Sequence, residues 1–192
     1  MIINNKIRHD QHCLPNLTGL QATAICFYMQ NHRLLLFVSA YLPPISILPL
    51  SDLDSIFTQH DSVILVVDLN SKHAAWHNTS GNRNGRILLS YCVNKNITLN
   101  CPDQPTHFPH NSTPSVLDIT LPKQCPTFKP QAVPTLSSDY NLIVFKILHP
   151  WPRARRHHIR NVDPTSRSFL HPNSNRQEKP PHSPTHARYV SY

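Results

Sequence analysis

The stretch Val63–His77, VILVVDLNSKHAAWH, opens with five apolar residues and turns polar at Asp68. With Ser62 in front, SVILVV is continuous and rich in β-branched residues. That is the pattern of a central strand covered on both faces, not of a half-exposed one. An acid and an amide, Asp68 and Asn70, follow where that strand must end. Strand ends are where side chains can converge on a substrate while a rigid sheet holds them. The stretch therefore predicts an α/β sheet with a polar site at one end.

The flanking sequence supplies the rest of such a sheet. Ala22–Gln30 and Arg33–Leu42 are apolar, strand-like runs joined through Asn31 and His32, which reads as a hairpin. Pro43 and Pro44 stop the second run. Ser51–His60 sets Leu53, Ile56 and Phe57 at helical spacing, with Ser51 as the expected N-cap and two acids in the first turn. Gly85–Asn96 reads as a second helix with Ile87, Leu88, Tyr91 and Cys92 on one face. Ile97–Asn100 reads as a short strand. Eight prolines between Pro102 and Pro134 imply extended segments and loops, with Ser115–Leu121 a strand among them. Asn141–Leu148 reads as the last strand.

A chain of 192 residues can bury one real core. Its formal charge of +8 is uneven. Residues 1–150 carry ten Lys and Arg against eight Asp, whereas residues 151–192 carry eight against Asp163 and Glu178. The apolar pattern ends at the same place, so residues 1–148 are expected to fold and residues 149–192 to form a basic, disordered tail. Such a tail is drawn to phosphate backbones without sequence preference. Its RARRHH segment reads equally as a nucleic-acid or nuclear-localisation patch and as a solvated run. The five Cys are odd in number and form no C-x-x-C pair, which suggests neither a zinc nor a disulfide framework. No N-terminal apolar segment marks a signal peptide, and no run approaches the ~18 apolar residues of a membrane span. The expected location is nuclear or cytoplasmic, without membrane partners. The four N-x-S/T sequons, at Asn16, Asn78, Asn96 and Asn111, then read as chance.

Carboxylate and amide oxygens suit a hard cation such as Mg²⁺, which takes one or two carboxylates and keeps several waters. The candidates are Asp68, Asn70, Asp118 and Asp139. On spacing alone each Asp reads first as a cap or a surface acid. His73 and His77 form H-x-x-x-H, but the Glu of a zinc-protease helix is missing.

Five segments in order change that reading: VSAYLPP, VVDLNSKHAAW, NGRILLSYC, PTHFPHNSTPSVLDITL and LSSDYNLIVF. Together they resemble the endonuclease domain of non-LTR retrotransposons of the jockey and R1 type, within the endonuclease/exonuclease/phosphatase superfamily, over residues 2–148. The resemblance implies a four-layer α/β sandwich, two packed mixed sheets flanked by helices. It implies DNA as partner and Mg²⁺ or Mn²⁺ as cofactor, held by Asp139 and Asp68, and no small-molecule cofactor. Tyr41 matches a Tyr that contacts the scissile phosphate. Asp68 matches the acid that positions the attacking water, and Asn70 the amide that binds the phosphate. Asp118 matches the acid that orients the catalytic His, and Asp139 the acid near the metal. Lys72, His73, Trp76, Arg83 and Arg86 match the DNA-facing edge.

The sequence departs from the family in three places. The terminal S-D-H reads Ser138, Asp139, Tyr140, so a phenol titrating near ~10 replaces an imidazole titrating near ~6.5. Val66 and Val67 stand where Gly-like residues precede the family Asp. The family's first strand and its metal-binding Glu have no counterpart, Glu178 being the sole Glu. The expectation is a sandwich incomplete at the N-terminus, a degenerate copy with impaired or lost DNA hydrolysis. The alternative is a non-catalytic module that binds nucleic acid or another partner.

Overall fold

A computed structural model of the chain describes residues 7–29, 33–125, 129–134 and 138–145. The Asn31–His32 turn, the end of the last apolar run and the basic tail lie outside the described residues.

Among the described residues nine strands and α-helices follow one another, besides a 3₁₀ turn at Ala74–Trp76: β1 (His9–His12), β2 (Gln21–Tyr28), β3 (Leu34–Tyr41), α1 (Leu50–Phe57), β4 (Val63–Asp68), α2 (Arg83–Lys95), β5 (Asp118–Lys123), β6 (Gln131–Val133) and β7 (Leu142–Val144). The first five strands form one mixed sheet in the order β1-β2-β3-β4-β5. β2 and β3 are the expected antiparallel hairpin. β3 and β4 are parallel, joined by a crossover through α1, and β5 runs antiparallel to β4. β6 and β7 make a separate two-stranded sheet. The fold is mixed α/β as expected. Among the described residues, however, the second sheet is much smaller than the partner layer the resemblance implied.

Alternation along β4 explains the layering. Val63, Leu65 and Val67 point to one face, where Leu53, Ile56 and Phe57 of α1 and Leu88, Tyr91 and Cys92 of α2 join the same core. Burying each such Leu or Ile is worth about 1.5–3 kcal/mol. Ile64 and Val66 point the other way and join Ile25, Phe27, Leu35 and Phe37 in a smaller apolar cluster. Asp68 has the same parity as Ile64 and Val66. The second face is thus apolar where β4 begins and acidic where it ends.

Local chemistry moves several expected boundaries. Ser51 does not cap α1: Pro49 occupies the cap position, without a side-chain bond. Asp52 is instead 2% exposed and turned inward. It accepts from the Thr18, Gly19 and Leu20 backbone N–H groups and from the Thr18 hydroxyl at 2.8–3.0 Å. α2 starts two residues earlier than its apolar pattern suggests, because Asn82 caps it by accepting from the Gly85 N–H at 2.8 Å. Ile97–Asn100 forms no strand; only Asn100 bridges, to Thr120. β1 and β6, four and three residues long, carry too little apolar alternation to be read in advance.

Candidate active site

Three strands deliver the centre of the site. Tyr41 pairs with Asp68 across β3 and β4, and Asp68 pairs with Asp118 across β4 and β5, so the three form one row at the polar end of the sheet. Tyr41 is exposed, while Asp68 and Asp118 are half-buried.

Two further segments close on that row. The Phe108 N–H donates to the Asp139 carbonyl at 2.7 Å, and the Asn141 N–H to the Thr106 carbonyl at 2.8 Å, which zips 106–108 to 139–141. The buried Thr106 hydroxyl oxygen accepts from the Leu117 N–H at 3.0 Å and from the Asp118 N–H at 3.3 Å, anchoring both segments to the start of β5. Tyr140 is thereby held within reach of the Asp68 and Asp118 charges, with Asp139 beside it in the chain.

Electrostatics reflect the crowding. Burial, with the Asp68 charge added, lifts the Asp118 carboxyl to about 6, against a lowering hydrogen bond from Thr106. Burial raises Asp68 as well, although the Asn70 N–H at 2.9 Å and the nearby His107 pull it back. The Tyr140 phenol is raised by burial and then by Asp68, Asp139, Tyr41 and Asp118 together. Asp68, Asp139, Tyr41 and Asp118 therefore all lie within electrostatic reach of the Tyr140 phenol.

Asn70, at φ 46, turns the chain away from β4. Its Nδ2 donates to the Leu42 carbonyl at 2.9 Å, leaving one amide N–H for a ligand. Asn82 fastens the segment that follows: it accepts from the Lys72 N–H at 3.0 Å and donates to the Asn70 carbonyl at 2.7 Å. Gly85 is required there, because a Cβ would sit 2.0 Å from the Lys72 carbonyl oxygen. Arg83 and Arg86, exposed on the first turns of α2, are held beside this loop. Lys72 is half-buried. His73 caps the turn at Ala74–Trp76, accepting from the Ala75 N–H at 3.1 Å, and stacks on Trp76.

Trp76 itself does not belong to the DNA-facing set. It is fully buried, and its indole N–H donates to the Ser71 carbonyl at 3.1 Å. The aromatic ring expected to face DNA is core.

His107 is absent from the residues that the sequence motifs single out. Its ring lies 4.4 Å from the Tyr140 ring, and its Nε2 lies 3.8 Å from Asp139 Oδ2. The only signal was its place in PTHF, one of fourteen His in the chain. Asn78, which in the sequence is only the start of a chance sequon, has a structural role. It is buried, and its amide exchanges two hydrogen bonds with Val116, tying the loop after β4 to the approach to β5.

A family model described as endonuclease-reverse transcriptase matches residues 35–144, more than half of the chain. The chain belongs to this endonuclease-reverse transcriptase family. The matched span opens in β3 and closes in β7, and so contains every candidate group named above. No curated protein matches the chain. Among solved structures, the fold is similar to the endonuclease domain of TRAS1, a telomere-specific non-LTR retrotransposon, with a TM-score of 0.64 and 18% identity. That likeness covers 78% of this chain and 72% of the other. This member of the family contains no helix, among the described residues, long and apolar enough to cross a membrane.

Proposed function

We propose that the chain is a retrotransposon-type endonuclease module that hydrolyses DNA phosphodiesters at the Tyr41–Asp68–Asp118 row, slowly for its class. The Tyr41–Asp68–Asp118 row, with Tyr140 within reach of it, supports this reading. In it, Asp68 orients the attacking water, and the remaining Asn70 amide N–H and the Tyr41 hydroxyl hold the phosphate. His107, backed by Asp139, supplies the imidazole that position 140 lacks. An imidazole is matched to proton transfer near neutral pH, whereas a phenol raised by burial and neighbouring acids is not.

The donor set fits a hydrated Mg²⁺ or Mn²⁺, since hard oxygens face the site and Mg²⁺ keeps most of its waters. Asp68 and Asp139 would hold it. They do not form a closed cage: among the described residues, Asp68, Asp118 and Asp139 do not bring three ligand oxygens within 4.8 Å of one another. A bound divalent ion would stabilise negative charge on the phosphate. This open arrangement is the reason for expecting slow turnover.

DNA affinity in this proposal comes from Lys72, Arg83 and Arg86 near the site and from the excess of Lys and Arg in residues 149–192. Removing that segment should weaken binding and flatten its salt dependence.

A supercoiled-plasmid assay with the full chain tests the proposal. Mg²⁺-dependent nicking is expected, lowered at least ~100-fold by Asp68→Ala or His107→Ala. DNA binding without nicking, equal in wild type and Asp68→Ala, would make the protein a nucleic-acid-binding module. The hydrogen bond already linking the Asn70 amide to Leu42 favours that second reading.

A further inference from the structure

The other end of β4, on the opposite face of the sheet, holds a second cluster of chemically capable side chains. His12 of β1, Cys26 of β2 and His60, in the turn between α1 and β4, direct their ligand atoms at one point, all within 4.8 Å of one another. Cys26 Sγ lies 3.6 Å from His12 Nδ1 and 3.5 Å from His60 Nε2, and the two rings stand edge to face at 5.2 Å. We infer that His12, Cys26 and His60 form a transition-metal site, taking Zn²⁺ with a water molecule in the fourth position.

The spacing is the first argument. Tetrahedral Zn²⁺ with Zn–S near ~2.3 Å and Zn–N near ~2.05 Å places sulfur and nitrogen about 3.5 Å apart. Both separations match that edge of the tetrahedron. Without a metal the thiol can donate to only one imidazole and must accept, weakly, from the N–H of the other. His12 Nε2 is buried without a hydrogen-bond partner, so the ring is held by packing with Nδ1 facing the sulfur. A cation at the centre of the cluster would engage His12 Nδ1, Cys26 Sγ and His60 Nε2 together.

The ligand set selects the metal class. One thiolate and two imidazoles suit Zn²⁺ and its neighbours, not the hard Mg²⁺ that the acid row would take. The scaffold is ready as well. Lys123 Nζ donates to the Phe57 and His60 carbonyls at 2.7 and 3.0 Å and fixes the turn that carries His60. The metal would clip β1, a four-residue edge strand, to β2 and to the entry of β4. On binding, the Cys26 proton leaves to solvent.

The experiment uses the purified full chain, stripped with chelator and titrated with Co²⁺ and then Zn²⁺. One equivalent of Co²⁺ should give a thiolate-to-cobalt charge-transfer band with four-coordinate d–d bands, and Zn²⁺ should bleach both. Zn²⁺ should also raise Tm by about 4 °C or more when present well above its Kd. Cys26→Ser should abolish the charge-transfer band. His60→Ala, in a turn, should weaken Zn²⁺ at least ~100-fold, more than loss of a residue that only supports a ligand. Cys13→Ser should change neither. The inference falls if no charge-transfer band forms, if the band survives Cys26→Ser, or if it disappears with Cys13→Ser. Should Cys26→Ser fail to fold, His60→Ala decides alone: unchanged Zn²⁺ affinity and Tm rise overturn the site.

Discussion

Asp52 and Asp118 are both carboxylates removed from most of the solvent, yet their environments push them in opposite directions. Burial acts to raise each. Around Asp52, three backbone N–H groups and a hydroxyl overcome that effect, and its pKa is lowered. Around Asp118, a Thr106 hydrogen bond does not, and the Asp68 charge adds to burial, so it rises to about 6. The first carboxylate is satisfied by its own chain and ties the 18–20 segment to α1. The second lies in a row of groups whose charges oppose one another, the arrangement found where a site waits for a ligand.

The largest way to break the comparison is Asp52→Ala. Four donors would lose their acceptor, three of them on backbone that cannot move away. A loss of about 3–5 kcal/mol is expected, from hydrogen bonds to a charged group plus the donors left unsatisfied. Urea unfolding at neutral pH measures it. A loss below about 1 kcal/mol would mean that water replaces the carboxylate and that Asp52 is no anchor.

Asp118→Asn should do the reverse. The folded-state pKa of Asp118 lies above its unfolded value, so the contribution is fully present below the unfolded pKa near 4 and is lost as pH rises through about 6. Wild type should therefore gain stability as pH falls from 7 towards 4.5, by up to about 3 kcal/mol for a shift of about two pKa units. Asp52, with its pKa lowered, contributes above its unfolded value and loses that contribution only as pH falls further, through its folded pKa. Asp118→Asn should be more stable than wild type at pH 7, should gain less than wild type between pH 7 and 4.5 because the raised Asp68 still titrates, and should be impaired in nicking. Urea midpoints across that range decide the matter, and a wild-type profile that falls from pH 7 to 5 would contradict it.

The same contrast explains what the sequence could show. β3, β4 and both helices were legible because an apolar period of 2 or 3.6 runs through each, and the end of β4 pointed to Asp68 and Asn70. Asp118 and Asp139 came from motif order, since spacing alone read them as surface acids. Asp52 was misread because a cap acid and a buried anchor look alike in SDLD; the difference lies in Thr18–Leu20, over thirty residues away. Trp76 failed for a similar reason, because an aromatic after D-x-N says nothing about which side it faces. Asn78, Asn82 and Asn84 hold loops through side-chain hydrogen bonds to distant backbone, and no periodicity records such bonds. The odd, scattered cysteines argued against a metal framework, whereas His12, Cys26 and His60 meet only once β1 has paired with β2.

The smallest effect sharpens the acid row itself. Tyr140→His restores the residue that the family pattern expects, and a general acid–base contribution of about 10²–10⁴-fold is at stake where such a group is missing. Here His107 already lies against position 140, with Asp139 behind it. A second imidazole would act on the same transition state, and groups that work as a unit do not add. Nicking by Tyr140→His should change by less than about tenfold, and stability by no more than about 0.5 kcal/mol, since Tyr140 is 42% exposed. The informative background is His107→Ala. There, adding Tyr140→His should recover at least about tenfold of the lost rate, because the imidazole returns from the other side of the same stacked pair. Plasmid nicking by the two single variants and the double variant forms the cycle. If Tyr140→His alone raised nicking a hundredfold, His107 would be idle in the wild type and the phenol would be the defect.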